Sequence, residues 1–152
     1  MKRIHNSGIE NLVLVNSKQG GNFVYKPNGL WYGIDEAWLN WCKSNEPEWI
    51  HKNNYELEVD LSKILIISSG EQLKEFRKRF YKLFRKYDTI GCVDWKSVAS
   101  SYSGIEINPY LWECRLSLDT VWYYGWDCAS GCIWDVGVIL SVRRLNESKM
   151  VL

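Results

Sequence analysis

Ser103-Gly104-Ile105-Glu106-Ile107-Asn108-Pro109-Tyr110 is the stretch from which the predicted fold is built. The run between its glycine and its proline is too short for a helix, so the pattern predicts a short strand. Side chains alternate across a strand, which puts Glu106 on the face opposite the two isoleucines. With the isoleucines in the core, we expect the Glu106 carboxylate to face water or a cleft.

A strand and a helix are predicted upstream of this stretch. Ile64-Leu65-Ile66-Ile67 is a continuous apolar run, typical of a central strand that is buried on both faces. The clearest helix runs from Ser69 or Gly70 to Lys86. Its apolar stripe consists of Leu73, Phe76, Phe80, Leu83, Phe84 and Tyr87. The other face carries seven basic and two acidic side chains, a net charge of +5.

Two shorter helices are indicated elsewhere. Asp35 is the predicted N-cap of a helix that carries Ala37, Trp38, Trp41 and Cys42 and ends near residues 44–47. Residues 94–102 are predicted to form a short capped helix that leads into the Glu106 strand.

Further strands are predicted at residues 3–5, 9–15, 55–59 and 136–142, and residues 127–132 are predicted to be a small loop. The strands do not alternate regularly with the helices. This arrangement favours an α+β fold with a mainly antiparallel sheet.

Length and composition narrow the class of protein. The 152 residues predict one domain, 1–152, with net charge +1, so no overall field attracts nucleic acid or a membrane. No window approaches the roughly 18 apolar residues of a membrane-spanning helix. Five cysteines, with no signal-peptide pattern before them, indicate free thiols in a reducing compartment. We therefore expect a cytoplasmic protein.

The search for chemical motifs excludes several classes. Phosphate-binding and dinucleotide-binding glycine motifs are absent. Cys128 and Cys132 are spaced like zinc ligands, but no second close pair completes a site, so no metal is predicted. Nothing marks one thiol as an activated nucleophile. Nine tryptophans and nine tyrosines suit both a core and the walls of a ligand pocket.

An ordered trio remains: His5 in the first strand, Trp31-Tyr32 in the second and Glu106 in a late one. Gly29-Leu30-Trp31-Tyr32-Gly33 resembles the Gly-hydrophobic-Tyr segment of ADP-ribosyltransferases of the diphtheria-toxin and poly-ADP-ribose-polymerase type. The segments around His5 and Glu106 are similar to that family's first and third motifs. The family's tyrosine falls on Trp31, and Gly33 replaces a more common Ser or Ala.

The resemblance implies a split, mainly antiparallel sheet around a cleft, and NAD as the substrate. Cleaving the nicotinamide–ribose bond builds positive charge on the sugar, which a carboxylate beside it stabilises. Glu106 would be this catalytic carboxylate. His5 would bond a ribose hydroxyl, Ser7 would meet the nicotinamide amide, and Trp31 or Tyr32 would stack on the ring.

Three functions are therefore open. The first is transfer of ADP-ribose to a protein or nucleic-acid target by a toxin or effector, with an antitoxin or immunity partner. The second, implied by the same fold, is an RNA 2′-phosphotransferase. The third is a non-catalytic module that binds a nucleotide or nucleic acid. In the basic helix, Lys78, Lys82 and Arg85 would guide an anionic target, although such a face also serves solubility alone.

Overall fold

The computed structural model describes residues 1–20, 25–82 and 92–145. In chain order its elements are β1 (Arg3–Ser7), β2 (Leu30–Ile34), α1 (Ala37–Asn45), β3 (Asn53–Val59), β4 (Ile64–Ile67), α2 (Gly70–Phe80), β5 (Tyr81–Lys82), β6 (Cys92–Val93), α3 (Trp95–Ser101), β7 (Gly104–Ile107), β8 (Ser130–Ile133) and β9 (Ile139–Leu145). Short 3₁₀ turns occupy residues 47–49, 61–63, 112–114, 118–125 and 136–138. No helix within the described ranges is long and apolar enough to cross a membrane.

Seven strands form one mixed sheet in the order β4-β7-β8-β2-β1-β3-β9. Only β4 and β7 pair in parallel, and every other pairing in this sheet is antiparallel. The fold is therefore α+β with a mainly antiparallel sheet, as predicted. β4 lies at an edge, with Ile66 38% exposed, so the prediction of a central strand at residues 64–67 is wrong. β5 and β6 form a separate two-stranded ribbon.

Apolar side chains cover both faces of the sheet. On one face, Ile105 and Ile107 pack against α2, α3 and the aromatic residues of the 3₁₀ turn at 118–125. On the other face, Tyr32, Ile34 and Ile133 pack with residues of β3 and the turn before β9. The strand that carries Glu106 is therefore buried on both sides.

The helices differ from prediction at their ends. Ser69 caps α2 by accepting a hydrogen bond from the Gln72 amide at 3.2 Å, and Leu73, Phe76 and Phe80 of the predicted stripe are buried. However, α2 ends at Phe80 and not at Lys86, because the backbone becomes extended at Tyr81 and pairs with β6. The rest of the predicted stripe (Leu83, Phe84 and Tyr87) lies outside the described residues.

Other predicted boundaries also change. Glu36, and not Asp35, stands at the N-cap position of α1, because Asp35 has a positive φ of 49° and accepts a hydrogen bond from the Lys2 amide. Residues 9–15 form no strand. Residues 130–132 of the predicted loop belong to β8, which lies inside the sheet, and the last strand begins at Ile139 after a 3₁₀ turn. The strand at residues 55–59 and the helix after Asp94 are confirmed.

Candidate ligand-binding site

Three residues lie in line across the middle of the sheet. Tyr32 of β2 is in register with Gly131 of β8, which is in register with Glu106 of β7. A Cβ atom at position 131 would collide with the ring carbon Cζ and the hydroxyl oxygen of Tyr32. The glycine therefore leaves the space through which the tyrosine reaches over β8, and the Tyr32 hydroxyl donates to Glu106 Oε2 at 2.8 Å.

Glu106 also holds a buried ion pair. The Arg3 guanidinium donates from Nε to Oε2 at 2.7 Å and from Nη2 to Oε1 at 3.1 Å. The exposed fraction of Glu106 is 2%, so the prediction that its carboxylate faces water or a cleft is wrong. Burial disfavours the Arg3 charge, but the bonds to Glu106 outweigh it and raise the pKa of Arg3. Burial, with the Glu106 charge, also raises the pKa of Tyr32.

A cavity of about 420 Å³ opens beside β1 and β2, bounded by α1, the turn after it and the segment before β8. We call it the tryptophan cavity. Its lining residues are Ile4, His5, Asn6, Lys26, Trp31, Tyr32, Gly33, Trp38, Glu48, Trp49, His51, Trp126, Asp127, Cys128 and Ser130. Three of the predicted site residues, His5, Trp31 and Tyr32, are thus brought together. Glu106 is not among the lining residues and touches the cavity only through Tyr32.

Indole rings form the main walls of the tryptophan cavity. Trp31 and Trp126 meet edge to face with their centroids 4.8 Å apart. Trp38 and Trp49 also line the cavity, with centroids 6.3 Å apart, and Trp41 packs against both of these rings at 5.4 Å and 5.8 Å. Trp38 approaches β2 closely because Gly33 has no side chain, since a Cβ there would lie 2.8 Å from Trp38 Cβ. The glycine that departs from the family pattern is therefore needed to place this wall.

His5 occupies the point where β1 and β2 separate. The backbone pairing of the two strands includes Arg3–Ile34 and Ile4–Gly33. At the next residue the His5 Nδ1 atom lies 2.7 Å from the Trp31 carbonyl oxygen, so this nitrogen carries the hydrogen and donates it. Burial lowers the pKa of His5, although the bond to Trp31 opposes the effect. The lowered pKa favours the neutral ring at pH 7, in which Nε2 is an acceptor.

The charged groups of the tryptophan cavity are two carboxylates and one amine. Burial raises the pKa of Asp127, and the nearby charges of Lys26 and Arg115 oppose that shift. Glu48 is exposed at the mouth, where its hydrogen bond with Glu46 raises the pKa of Glu46. The Lys26 ammonium lies 5.1 Å from the centroid of the Trp31 ring. An indole face at this site thus already holds a cation.

The cysteines add no nucleophile to this site. Cys128 lines the cavity, but burial raises the pKa of its thiol to about 12. Cys132 points into the core beneath Gly29, and burial raises the pKa of its thiol as well. Within the described ranges, no group of three or more His, Cys, Asp or Glu side chains is placed to hold a metal ion.

The remaining predicted site residues lie apart from the tryptophan cavity. Ser7 is buried, does not line the cavity, and accepts a hydrogen bond from the Ile9 amide at 3.1 Å, so it is not placed to meet a ligand there. Lys78 projects from α2 and pairs with Glu75 at 2.8 Å. Lys82 follows the end of α2, so it does not continue a helical face with Lys78, and Arg85 lies outside the described residues.

Sequence reasoning missed Trp38, Trp49, Trp126 and Asp127 as site residues. Trp38 and Trp49 belong to neither of the two apolar core clusters. The available signal was the density of tryptophan after Gly33 and before Cys128, but no pattern shows that these two segments meet. Comparisons of the chain with protein-family models, curated proteins and solved structures gave no match.

Proposed function

We propose that this protein binds NAD⁺ in the tryptophan cavity and transfers its ADP-ribose group to a macromolecular target. The observation that carries this proposal is the combination of indole walls with two carboxylates around a cavity of about 420 Å³. Aromatic faces and carboxylates together favour a flat cation. The nicotinamide ring of NAD⁺ is such a cation, and the resemblance of the His5, Trp31 and Glu106 segments to ADP-ribosyltransferases supports the same ligand.

The polar groups of the cavity fit the other parts of this substrate. The Nε2 lone pair of neutral His5 can accept a hydrogen bond from a ribose hydroxyl. The Lys26 ammonium lies over the Trp31 ring. When the pyridinium ring of NAD⁺ occupies that face of Trp31, Lys26 would move to bind a phosphate oxygen. Both assignments use side chains that line one cavity.

The structure changes the role that we propose for Glu106. Its two oxygens are already bonded to Arg3 and Tyr32, and it does not line the cavity. We therefore treat Glu106 as a positioning residue that acts through Tyr32. Asp127 is partly buried and lines the cavity, so it takes the electrostatic role beside the ribose.

The proposed reaction is a simple substitution at the ribose. The bond between the ribose C1′ and the nicotinamide nitrogen breaks, and nicotinamide leaves as a neutral molecule with the bonding electron pair. A nucleophilic atom of the target forms the new bond to C1′ and loses a proton. The Asp127 carboxylate stabilises the positive charge that develops on the sugar in between.

The test separates binding from turnover. Calorimetric titration is expected to show NAD⁺ binding at least about ten-fold more tightly than NADH, whose dihydronicotinamide ring carries no charge. Asp127→Asn should remove most of this preference, whereas Asp119→Asn, an exposed carboxylate outside the cavity, should keep it. Chromatographic detection of released nicotinamide then measures cleavage. Equal or undetectable binding of both dinucleotides would overturn the proposal.

One observation favours a second candidate, a non-catalytic module that binds an organic cation. Glu106, whose segment resembles the third motif of ADP-ribosyltransferases, forms a buried ion pair with Arg3 and does not line the cavity. Tight NAD⁺ binding without any release of nicotinamide would select this candidate. The RNA 2′-phosphotransferase alternative receives less support, because Lys26 is the single Lys or Arg side chain among the described residues that line the cavity.

A further inference from the structure

Lys26 already holds a positive charge against the wall of the tryptophan cavity to which we assign the pyridinium ring. Its ammonium lies 5.1 Å from the centroid of the Trp31 ring. We propose that Lys26 determines the specificity of the cavity, by favouring flat cations that carry an anionic group in the same molecule. The proposal rests on the proposed function in one respect, which is that a cationic ring binds against Trp31.

The side chain of Lys26 reaches inward from the cavity mouth. The residue as a whole is exposed, but it lines the cavity. Its stem passes over Gly125, where an added Cβ would lie 3.5 Å from Lys26 Cε. Burial raises the pKa of Asp127 and of the Cys128 thiol, and the Lys26 charge opposes both shifts. The charge of Lys26 therefore acts on the segment before β8 as well as on Trp31.

The backbone next to Lys26 is held in place, whereas its ammonium is not. The Gln19 side chain accepts a hydrogen bond from the Asn28 amide at 2.9 Å and donates one to the Asn28 carbonyl at 2.8 Å. The Asn28 side chain donates to the Lys18 carbonyl at 3.1 Å, and Pro27 is buried. Among the described residues, no carboxylate forms a salt bridge with Lys26. The ammonium can therefore leave the indole without breaking an ion pair.

A flat cation without an anionic group would bind weakly in the presence of Lys26. It would have to displace the ammonium from the Trp31 ring, and the two positive charges would then share one cavity and repel each other. Glu48 is exposed at the mouth, where water and salt screen its charge. Asp127 is the partly buried carboxylate of the cavity, and its single negative charge does not balance two positive ones.

A phosphate on the same molecule removes this penalty. The displaced Lys26 ammonium can donate a charge-assisted hydrogen bond to a phosphate oxygen, and the phosphate balances its charge. Of the described residues that line the cavity, only Lys26 is a lysine or an arginine, so this bond depends on one side chain. The favoured ligands are therefore pyridinium nucleotides with a phosphate, and not simple quaternary ammonium ions, which indole walls alone also bind.

Nicotinamide riboside and nicotinamide mononucleotide provide the test, because they share the cationic ring and differ by one phosphate. Calorimetry at low salt should show the wild type binding the mononucleotide at least about ten-fold more tightly than the riboside. Lys26→Met should bind the mononucleotide at least about three-fold more weakly than wild type, and the riboside at least about three-fold more tightly. Lys18→Met, at an exposed lysine that does not line the cavity, should leave both affinities unchanged. Circular dichroism checks that both variants are folded.

Opposite changes of the two affinities distinguish this role of Lys26 from a merely structural one. A Lys26→Met variant that weakened both ligands alike, or changed neither, would overturn the proposal. Equal wild-type affinity for the riboside and the mononucleotide, with NAD⁺ still bound, would also overturn it and would leave the proposed function standing. Failure of NAD⁺ and of both smaller ligands to bind would overturn the proposed function as well.

Discussion

Glu106 is the residue through which β1, β2 and β7 are tied together. Its carboxylate accepts from Arg3, 103 residues away in the chain, and from Tyr32, 74 residues away. The strand pattern correctly placed Glu106 on the face opposite the isoleucines. It did not predict burial, because the groups that cover this face come from the other end of the chain.

We expect Glu106→Ala to destabilise the protein by about 3–5 kcal/mol, because it leaves the Arg3 charge buried without a partner. Tyr32→Phe removes one hydrogen bond to a charged group and should cost about 1.5–3 kcal/mol. Urea denaturation measures both. Glu56→Ala breaks an ion pair with the largely exposed Arg143 and should cost less than about 1 kcal/mol. An unfolding midpoint of Glu106→Ala equal to that of wild type would contradict the prediction.

His5 predicts a pH dependence of stability. Burial lowers its pKa in the folded state below the usual value near 6.5. Below that value the unfolded chain takes up a proton that the folded protein resists, so the free energy of unfolding should fall as the pH drops from about 7.5 towards 5. His5→Asn keeps a donor for the Trp31 carbonyl and does not titrate. Its curve should therefore be flatter over this window, and an unchanged slope would count against the role of His5.

At the level of elements, β8 decides how the two halves of the sheet meet. It lies between β2 and β7 and brings Gly131 under the Tyr32 ring. The sequence predicted a loop here, because small residues and cysteines lack the β-branched and aromatic pattern of a strand. The small residue is nevertheless what allows Tyr32 to cross the strand and reach Glu106.

Gly131→Ala should therefore be strongly destabilising for a one-carbon change. The added Cβ would collide with the Tyr32 ring and lie 2.8 Å from the Ile105 carbonyl oxygen in a buried layer. We expect a loss of at least about 1–3 kcal/mol in thermal or chemical unfolding. Gly8→Ala is the matched control, because its Cβ would make only ordinary contacts with His51 at 3.6 Å or more. Equal stability of the two variants would show that the sheet relaxes around residue 131.

At the scale of the whole molecule, the tryptophan cavity joins segments that are distant in the chain. Trp31 comes from β2, Trp38 from α1, and Asp127 from the segment before β8. The resemblance of their segments to ADP-ribosyltransferase motifs, and not strand periodicity, singled out His5, Trp31 and Tyr32 as candidates. The opposite walls were not predictable, since the packing of α1 on β2 depends on the contact between Gly33 and Trp38.

The charge of Asp127 predicts how ligand affinity depends on pH. Burial raises its pKa, so the carboxylate should lose its charge at a higher pH than an ordinary aspartate near 3.9. The affinity for NAD⁺ should therefore fall as the pH is lowered, and calorimetry at several pH values measures this. The Asp127→Asn variant should bind NAD⁺ weakly, and its affinity should change less with pH. His5→Asn separates out the effect of His5, and an affinity independent of pH in wild type would remove Asp127 from the proposed site.

Local sequence pattern was sufficient to predict the α+β class, the strands β3 and β7, and the start and buried stripe of α2. These features depend on side-chain periodicity and on a cap within a few residues, so neighbouring residues specify them. Only the tertiary structure decided the order of the strands, the burial of Glu106 and the walls of the tryptophan cavity. They arise from contacts between residues many positions apart, such as Arg3 with Glu106, and periodicity carries no information about which distant segments pair.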